Sequence, residues 1–290
     1  MKYCRFLLDD QIHYGAVEDR DGAPSIVDLA RAPEEDLAFR LIHGRATALG
    51  LGFEPLALST ARLLPAVSPS KIVCVGRNYR DHVKEMGSEL PSEPLLFFKP
   101  VSALLAPEGI VRMPAASARV DFEGELALVI GRRSRNLKPE DWRDSIRGYT
   151  LANDVTARDL QAKDGQWSRA KGFDTFCPVG PIVSDELDPL SGLILETRVN
   201  GELRQHGSTL DFIFSIPVLL AYITSIFTLE PGDLILTGTP SGVGALKAGD
   251  LVEVSIPGIG VLACISHRSI VDSGDSRVKK SIGKAVFSVS

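Results

Sequence analysis

Apolar and polar positions alternate with a period of two through much of the chain, which predicts strands. KIVCVG, PLLFFKP, GELALVIG, RGYTLANDV, LILETRV, DLILTGT, LVEVSI and GVLACIS each read as a strand. Asn200-Gly201, set between two such runs, predicts a hairpin, and Pro257 to Gly260 predicts another turn. FSIPVLLAYITSIF is the best helix candidate, with its proline near the first turn. Before residue 67 the pattern is that of a smaller unit. YCRFLL and IHYGAVED predict short strands, and DGAPSIVDL a turn and strand. APEEDLAFRLIH predicts a helix with Leu37, Leu41 and Ile42 on one side. The Pro/Ser-rich stretch LLPAVSPSK is the expected junction. The expected organisation is a small N-terminal α/β domain over 1–67, a main domain over 68–270 and a Ser/Lys-rich tail over 271–290. The fold class is α+β, mostly β.

One stretch does not fit a routine amphipathic strand. VDFEGELALVI, Val120 to Ile130, places Asp121, Glu123 and Glu125 on one side. A solvated sheet face is the common reading of such a pattern. Against it, like charges two residues apart repel by on the order of 2 kcal/mol per pair at an effective dielectric near 20, and carboxylates are poor strand formers. A cation removes the repulsion. A Glu-x-Glu pair offers hard oxygen ligands suited to Mg²⁺, Mn²⁺ or Ca²⁺. Asp154, at the end of an apolar strand in TLANDVTARDLQ, is the candidate third ligand, although an Asn-Asp pair is more often a turn or helix cap.

Other residues suit a reaction at such a centre. In CVGRNYRDHVKEM, His82 and Glu85 are three apart, which on a helical turn puts both on one face. A carboxylate there can hold the imidazole in one tautomer, as a general base needs, although a solvated helix face is the commoner meaning of such spacing. Lys171 lies among aromatic and small residues, a setting in which a lysine can stabilise a developing anion, although a snorkelling surface lysine is the commoner reading. LTGTPSGVG is a glycine-rich turn whose backbone N–H groups suit a carboxylate; it is not a P-loop, because no Gly-Lys-Ser/Thr follows. The segment from Arg80 to Pro91, with Gly87 and Ser88, is expected to be a lid.

Composition narrows the partners. The 290 residues are 44% hydrophobic and 24% charged, with a net charge of −5, which argues against nucleic acid. The most apolar run, Ile213 to Phe227, is short and interrupted by Ser215, Pro217, Thr224 and Ser225, so no membrane span is expected. Four scattered cysteines without a Cys-x-x-Cys pair argue against a zinc ribbon and predict reduced thiols in a cytoplasmic protein.

The blocks CVGRNYRDHVKEM, EPLLFFKP, DFEGELALVIG, NDVTARDLQ, KGFDTFCPVGP and LTGTPSGVG occur in the order found in the fumarylacetoacetate hydrolase family. Over roughly residues 70 to 268 the chain resembles that family's short bacterial, acylpyruvase-like members. The resemblance implies a mixed β-roll, usually dimeric, with a divalent metal on Glu123, Glu125 and Asp154. It implies a water-activating dyad at His82 and Glu85, Lys171 beside the metal, and substrate contacts at Arg77, Asn78, Tyr79, Arg158, Gln161 and Thr239. Asp121, which matches no family ligand, is expected behind the ligands or facing solvent. The expected activity is Mg²⁺- or Mn²⁺-dependent hydrolysis of a 2,4-dioxo acid of acylpyruvate or fumarylpyruvate type, to pyruvate and a carboxylic acid. Decarboxylation of oxaloacetate, or decarboxylation and isomerisation of an unsaturated oxo-dioate from aromatic breakdown, uses the same enolate and is the alternative. An inactive metal-binding scaffold is a third reading.

Overall fold

The computed structural model describes residues 1–30 and 53–268. The helix expected over 32–43 and the tail from 271 lie outside them. The described chain is mostly β, a mixed β-roll built of three sheets. The largest has 12 strands. Its path runs Leu56–Ala57, Ala23–Ala30, Gln11–Arg20, Lys2–Leu8, Cys177–Ser184, Ile146–Asn153, Gly124–Ile130, Leu234–Leu236, Ile72–Gly76 and Leu95–Lys99. A five-stranded sheet runs Glu202–Ser208, Ile194–Val199, Leu251–Ile256, Gly260–Arg268 and Ile110–Met113. A three-stranded one runs Thr156–Ala157, Val120–Phe122 and Gly244–Ala245. Most pairs are antiparallel; Leu234–Leu236 runs parallel to Ile72–Gly76, and Gly260–Arg268 parallel to Ile110–Met113. The N-terminal strands continue the largest sheet, with Tyr3 opposite Val183.

The expected strands and both expected turns form. Asn200-Gly201 closes the hairpin of Ile194–Val199 and Glu202–Ser208. The expected helix forms over Ile216–Ile226 and buries Ile216, Leu219, Leu220 and Ile223. Cys177–Ser184 escapes the pattern because it carries Pro178 and Pro181, which argue against a strand. It nonetheless lies between Lys2–Leu8 and Ile146–Asn153. Among the described residues no helix is long and apolar enough to cross a membrane. All four cysteines are buried and unbridged, and burial pushes the Cys177 and Cys264 thiols up to about 12.

The acidic stretch departs from its expected form. It is not one strand: Val120–Phe122 belongs to the three-stranded sheet, Gly124–Ile130 to the largest, and Glu123 sits in the break between them. Glycine permits the crossing, since a Cβ on residue 124 would lie 2.1 Å from Thr197 Oγ1. Neither face is solvated. Leu126, Leu128 and Ile130 pack with Leu195, Val254 and Leu262 in one core cluster. Ala127 and Val129 pack with Tyr3, Val179 and Leu236 in another. Leu128→Ala is therefore expected to destabilise the fold by about 2–5 kcal/mol in chemical denaturation. A loss much below 1 kcal/mol would contradict burial of this strand on both faces.

Candidate active site

The strand Gly124–Ile130 pairs with Ile146–Asn153, placing Gly124 opposite Asn153 and Glu125 opposite Ala152. Asp154 follows directly. Its N–H donates to Glu123 O at 2.8 Å, and the Asn153 side-chain oxygen accepts from Glu123 N–H at 2.9 Å. These bonds hold the strand break open and turn the carboxylates of Glu123, Glu125 and Asp154 together. All three are buried, at 5%, 2% and 1% exposure, and each offers an oxygen within 4.8 Å of the others.

Protein cations balance two of the three. Lys171 Nζ bridges Glu123 Oε2 at 2.8 Å and Asp154 Oδ2 at 2.7 Å. Lys99 Nζ lies 2.7 Å from Asp154 Oδ1, and Arg158 Nη2 2.5 Å from Glu123 Oε1. Burial alone would raise the Glu123 carboxyl, but Lys171 and Arg158 outweigh it and hold the group well below the usual carboxylate range. Burial likewise opposes the Lys171 charge, and Asp154 and Glu123 outweigh it, so the ammonium is retained. Glu125 has no ion-pair partner among the described residues. Burial, then Asp154 and Glu123, push its carboxyl well above the ordinary value, against the weaker support of the nearby Lys171 ammonium and of the Gly238 N–H at 2.7 Å. Three converging carboxylates with one charge uncompensated fit a hard divalent cation.

Asp121 is not solvent-facing. It is fully buried, paired with Arg119 at 2.9 Å and with Arg158 Nε at 3.0 Å. It thereby anchors the guanidinium that also holds Glu123 and donates to Gln161 Oε1 at 2.8 Å. Of the acidic run, Glu123 and Glu125 enter the carboxylate cluster, while Asp121 supports it from behind.

A cavity of about 280 Å³ opens onto the cluster. It is lined by Arg77, His82, Arg158, Gln161, Lys171 and Thr239 as well as the three carboxylates, so most of the expected residues do converge. Arg77 is exposed there, with no hydrogen bond or ion pair among the described residues. Asn78 and Tyr79 do not line the cavity. Asn78 is fully buried and ties two loops, donating to Thr237 O at 2.9 Å and accepting from Phe214 N–H at 2.9 Å. Tyr79 packs edge-on against Phe212.

His82 lies on the short helix Arg80–Glu85 that follows the strand Ile72–Gly76. Its Nδ1 is 3.1 Å from Glu85 Oε2. An ionised carboxylate only accepts, so Nδ1 carries the proton and Nε2 is left as the basic nitrogen. Glu85 Oε1 accepts from Gly242 N–H at 3.0 Å. The glycine-rich turn does bind carboxylates, and they are the chain's own: Gly238 holds Glu125 and Gly242 holds Glu85. Gly242 must be glycine, because its φ is +98° and a Cβ would lie 1.9 Å from Arg204 O.

Four contributors carried no separate signal in the sequence. Lys99 merely ends an apolar run, yet its buried ammonium pairs with Asp154 and donates to the carbonyls of Val155 and Lys171. Gln205 lies in an unremarked hairpin strand and contacts Gly124, Thr239 and Pro240. Trp167 and Phe97 form an edge-on apolar wall, with Lys171 Nζ 5.0 Å from the Phe97 ring centre.

A buried carboxylate triad able to hold a divalent cation, two of its members bridged by Lys171, thus shares one cavity of the mixed β-roll with His82. Residues 71–265 match the fumarylacetoacetate (FAA) hydrolase C-terminal family, and the chain belongs to that family. The oxaloacetate tautomerase YisK of Bacillus subtilis is 44% identical over 227 residues, 73% of this chain and 75% of that protein. The mitochondrial oxaloacetate decarboxylase of Dictyostelium discoideum is 47% identical over 195 residues, 65% of this chain and 89% of that protein. Among solved structures, the 5-carboxymethyl-2-hydroxymuconate delta-isomerase from Mycobacterium smegmatis superimposes with a TM-score of 0.80 at 37% identity, covering 93% of this chain and all of that one.

Proposed function

We propose that the protein is a divalent-cation-dependent enzyme that takes oxaloacetate or a close 2-oxo diacid through its enolate, as a tautomerase or decarboxylase. The relatives favour this reading over dioxo-acid hydrolysis. The observation that carries it is the Lys171 ammonium held between Glu123 and Asp154 in the same cavity as His82. A Mg²⁺ or Mn²⁺ held by Glu123, Glu125 and Asp154 would supply Lewis-acid polarisation of the 2-oxo group.

The chain's own groups supply the rest. In tautomerisation the C3–H bond breaks, its proton passes to His82 Nε2, the electron pair becomes the C2=C3 bond while the carbonyl π pair moves to the C2 oxygen, and that oxygen then takes a proton to give the enol. In decarboxylation the C3–C4 bond breaks instead, CO₂ leaves, and C3 later takes a proton to give pyruvate. Both routes place negative charge on the C2 oxygen, which the Lys171 ammonium stabilises. Arg77, without an ion-pair partner among the described residues, lies at the exposed side of the cavity and suits the carboxylate of a diacid.

The His82–Glu85 pair also favours a second reading. The same base can activate water to attack C4 of an acylpyruvate, releasing pyruvate and a carboxylic acid. Turnover of oxaloacetate and acetylpyruvate, each with Mg²⁺ and with excess EDTA, separates the two. Oxaloacetate is expected to be the better substrate, with activity abolished by EDTA and restored by Mg²⁺ or Mn²⁺. Faster cleavage of acetylpyruvate would replace the first reading by the second, and full activity in EDTA would sink both.

A further inference from the structure

The buried Gln205 determines the hydrogen-bonding character of Thr239. Its side-chain amide has only one orientation that satisfies its neighbours. Gly124 N–H, a donor, lies 3.0 Å from Oε1, and Pro240 O, an acceptor, lies 2.9 Å from Nε2. A flipped amide would set donor against donor and acceptor against acceptor. Nε2 therefore also donates to Thr239 Oγ1, at 2.7 Å. The other partner of that hydroxyl is Gly124 O, at 2.8 Å, which can only accept. The single hydroxyl proton is thus committed to Gly124. Thr239, which lines the cavity, has one lone pair left and no proton. Gln161 has the opposite character. Its Oε1 already accepts from Arg158, which fixes the amide orientation and leaves the NH₂ free to donate.

We infer that Gln205 is a positioning residue that makes Thr239 an acceptor-only contact, so that the cavity prefers the hydroxyl-bearing enol form of a 2-oxo acid to the keto form there. A keto oxygen at Thr239 meets a lone pair with a lone pair, whereas an enol O–H donates to it. Leaving a buried polar group mismatched is the expensive outcome, so the contact discriminates between the forms even though one neutral hydrogen bond is modest. The inference rests on the proposed oxo-acid chemistry for the identity of its ligand. Neither Gln205 nor the polarity of Thr239 follows from that chemistry.

The test is a ligand–variant cycle in Mg²⁺-loaded protein, with (S)-malate and succinate as probes. They share a skeleton and differ by one hydroxyl. Affinities come from calorimetric titration, and only the change in their ratio is read, because the malate hydroxyl has other possible partners. Thr239→Val keeps the shape and removes the lone pair, and it is expected to reduce the malate-to-succinate preference about five-fold. Thr239→Ser should retain the preference. Gln205→Met, which does not donate a proton to Thr239, frees the hydroxyl to turn and should shrink the preference while Mg²⁺ affinity stays within two-fold, a pattern that general destabilisation does not produce. An unchanged ratio in Thr239→Val, or equal or absent affinity of the parent for the two acids, overturns the inference. An unchanged ratio in a folded Gln205 variant overturns the role of Gln205. Failure of the parent to turn over oxaloacetate overturns the proposed reaction instead, and the malate-to-succinate ratio still judges the contact.

Discussion

Lys171→Ala is expected to lower both tautomerisation and decarboxylation of oxaloacetate by about 10²-fold or more, whereas His82→Ala is expected to separate the two reactions. Lys171 touches two carboxylates and shares the cavity, so its ammonium is placed to meet the charge that either route develops. Removing one such donor typically lowers kcat about 10²–10³-fold. The substitution also strips two buried carboxylates of a partner, and breaking a buried pair costs about 3–5 kcal/mol. Circular dichroism and metal occupancy must therefore accompany the rates. His82 carries a different burden. Tautomerisation needs a base at C3, so His82→Ala should slow it about 10²–10⁴-fold. Carbon dioxide leaves without a base, so decarboxylation should fall much less. Enol absorbance and pyruvate release report the two reactions in the same samples. Tautomerisation at the parental rate in His82→Ala would remove the histidine from the mechanism, and an undiminished rate in Lys171→Ala would remove the lysine.

The parts of this site that were legible in the sequence are those that local chemistry makes conspicuous. Carboxylates at Glu123 and Glu125 beside a strongly apolar run are costly without a purpose, and the buried cluster supplies one. His82 and Glu85 are three residues apart, and the short helix Arg80–Glu85 brings them together as that spacing predicts. Contacts over long sequence separations were not legible. Lys99 reaches Asp154 across 55 positions of chain, and Gln205 reaches Gly124 across 81. Neither partner marks the other. The same limit explains the misread strand. Alternation through Glu123 suggests one continuous element, but Val120–Phe122 and Gly124–Ile130 pair with different neighbours. Asn78 and Tyr79 share a motif with Arg77, yet the left-handed turn at Arg77, φ +57°, is followed by side chains that face inward. Arg77 remains at the cavity, while Asn78 ties loops together and Tyr79 fills the core.

Glu125→Gln is expected to abolish activity at ordinary Mg²⁺ concentrations while leaving the metal-free protein at least as stable as the parent. Among the described residues Glu125 is the member of the triad without an ion-pair partner, so its charge is the one that a bound metal ion would neutralise. The amide keeps the shape, and its oxygen still accepts from Gly238 N–H. It removes a charge that burial and two neighbouring carboxylates disfavour, so the metal-free fold is relieved rather than injured. Changing even an outer partner of a metal ligand weakens binding about 10–100-fold, and replacing a ligand charge should weaken it by about 10²-fold or more. The two effects are separable by thermal unfolding. The parent should gain stability on adding Mg²⁺ or Mn²⁺, by about 2.7 kcal/mol when the metal is at 100 times its dissociation constant. The variant should show no such gain at the same concentration, starting from a metal-free melting temperature equal to or above that of the parent. A variant that melts well below the metal-free parent would show that Glu125 serves the fold, and a full metal-induced gain would remove it from the ligand set.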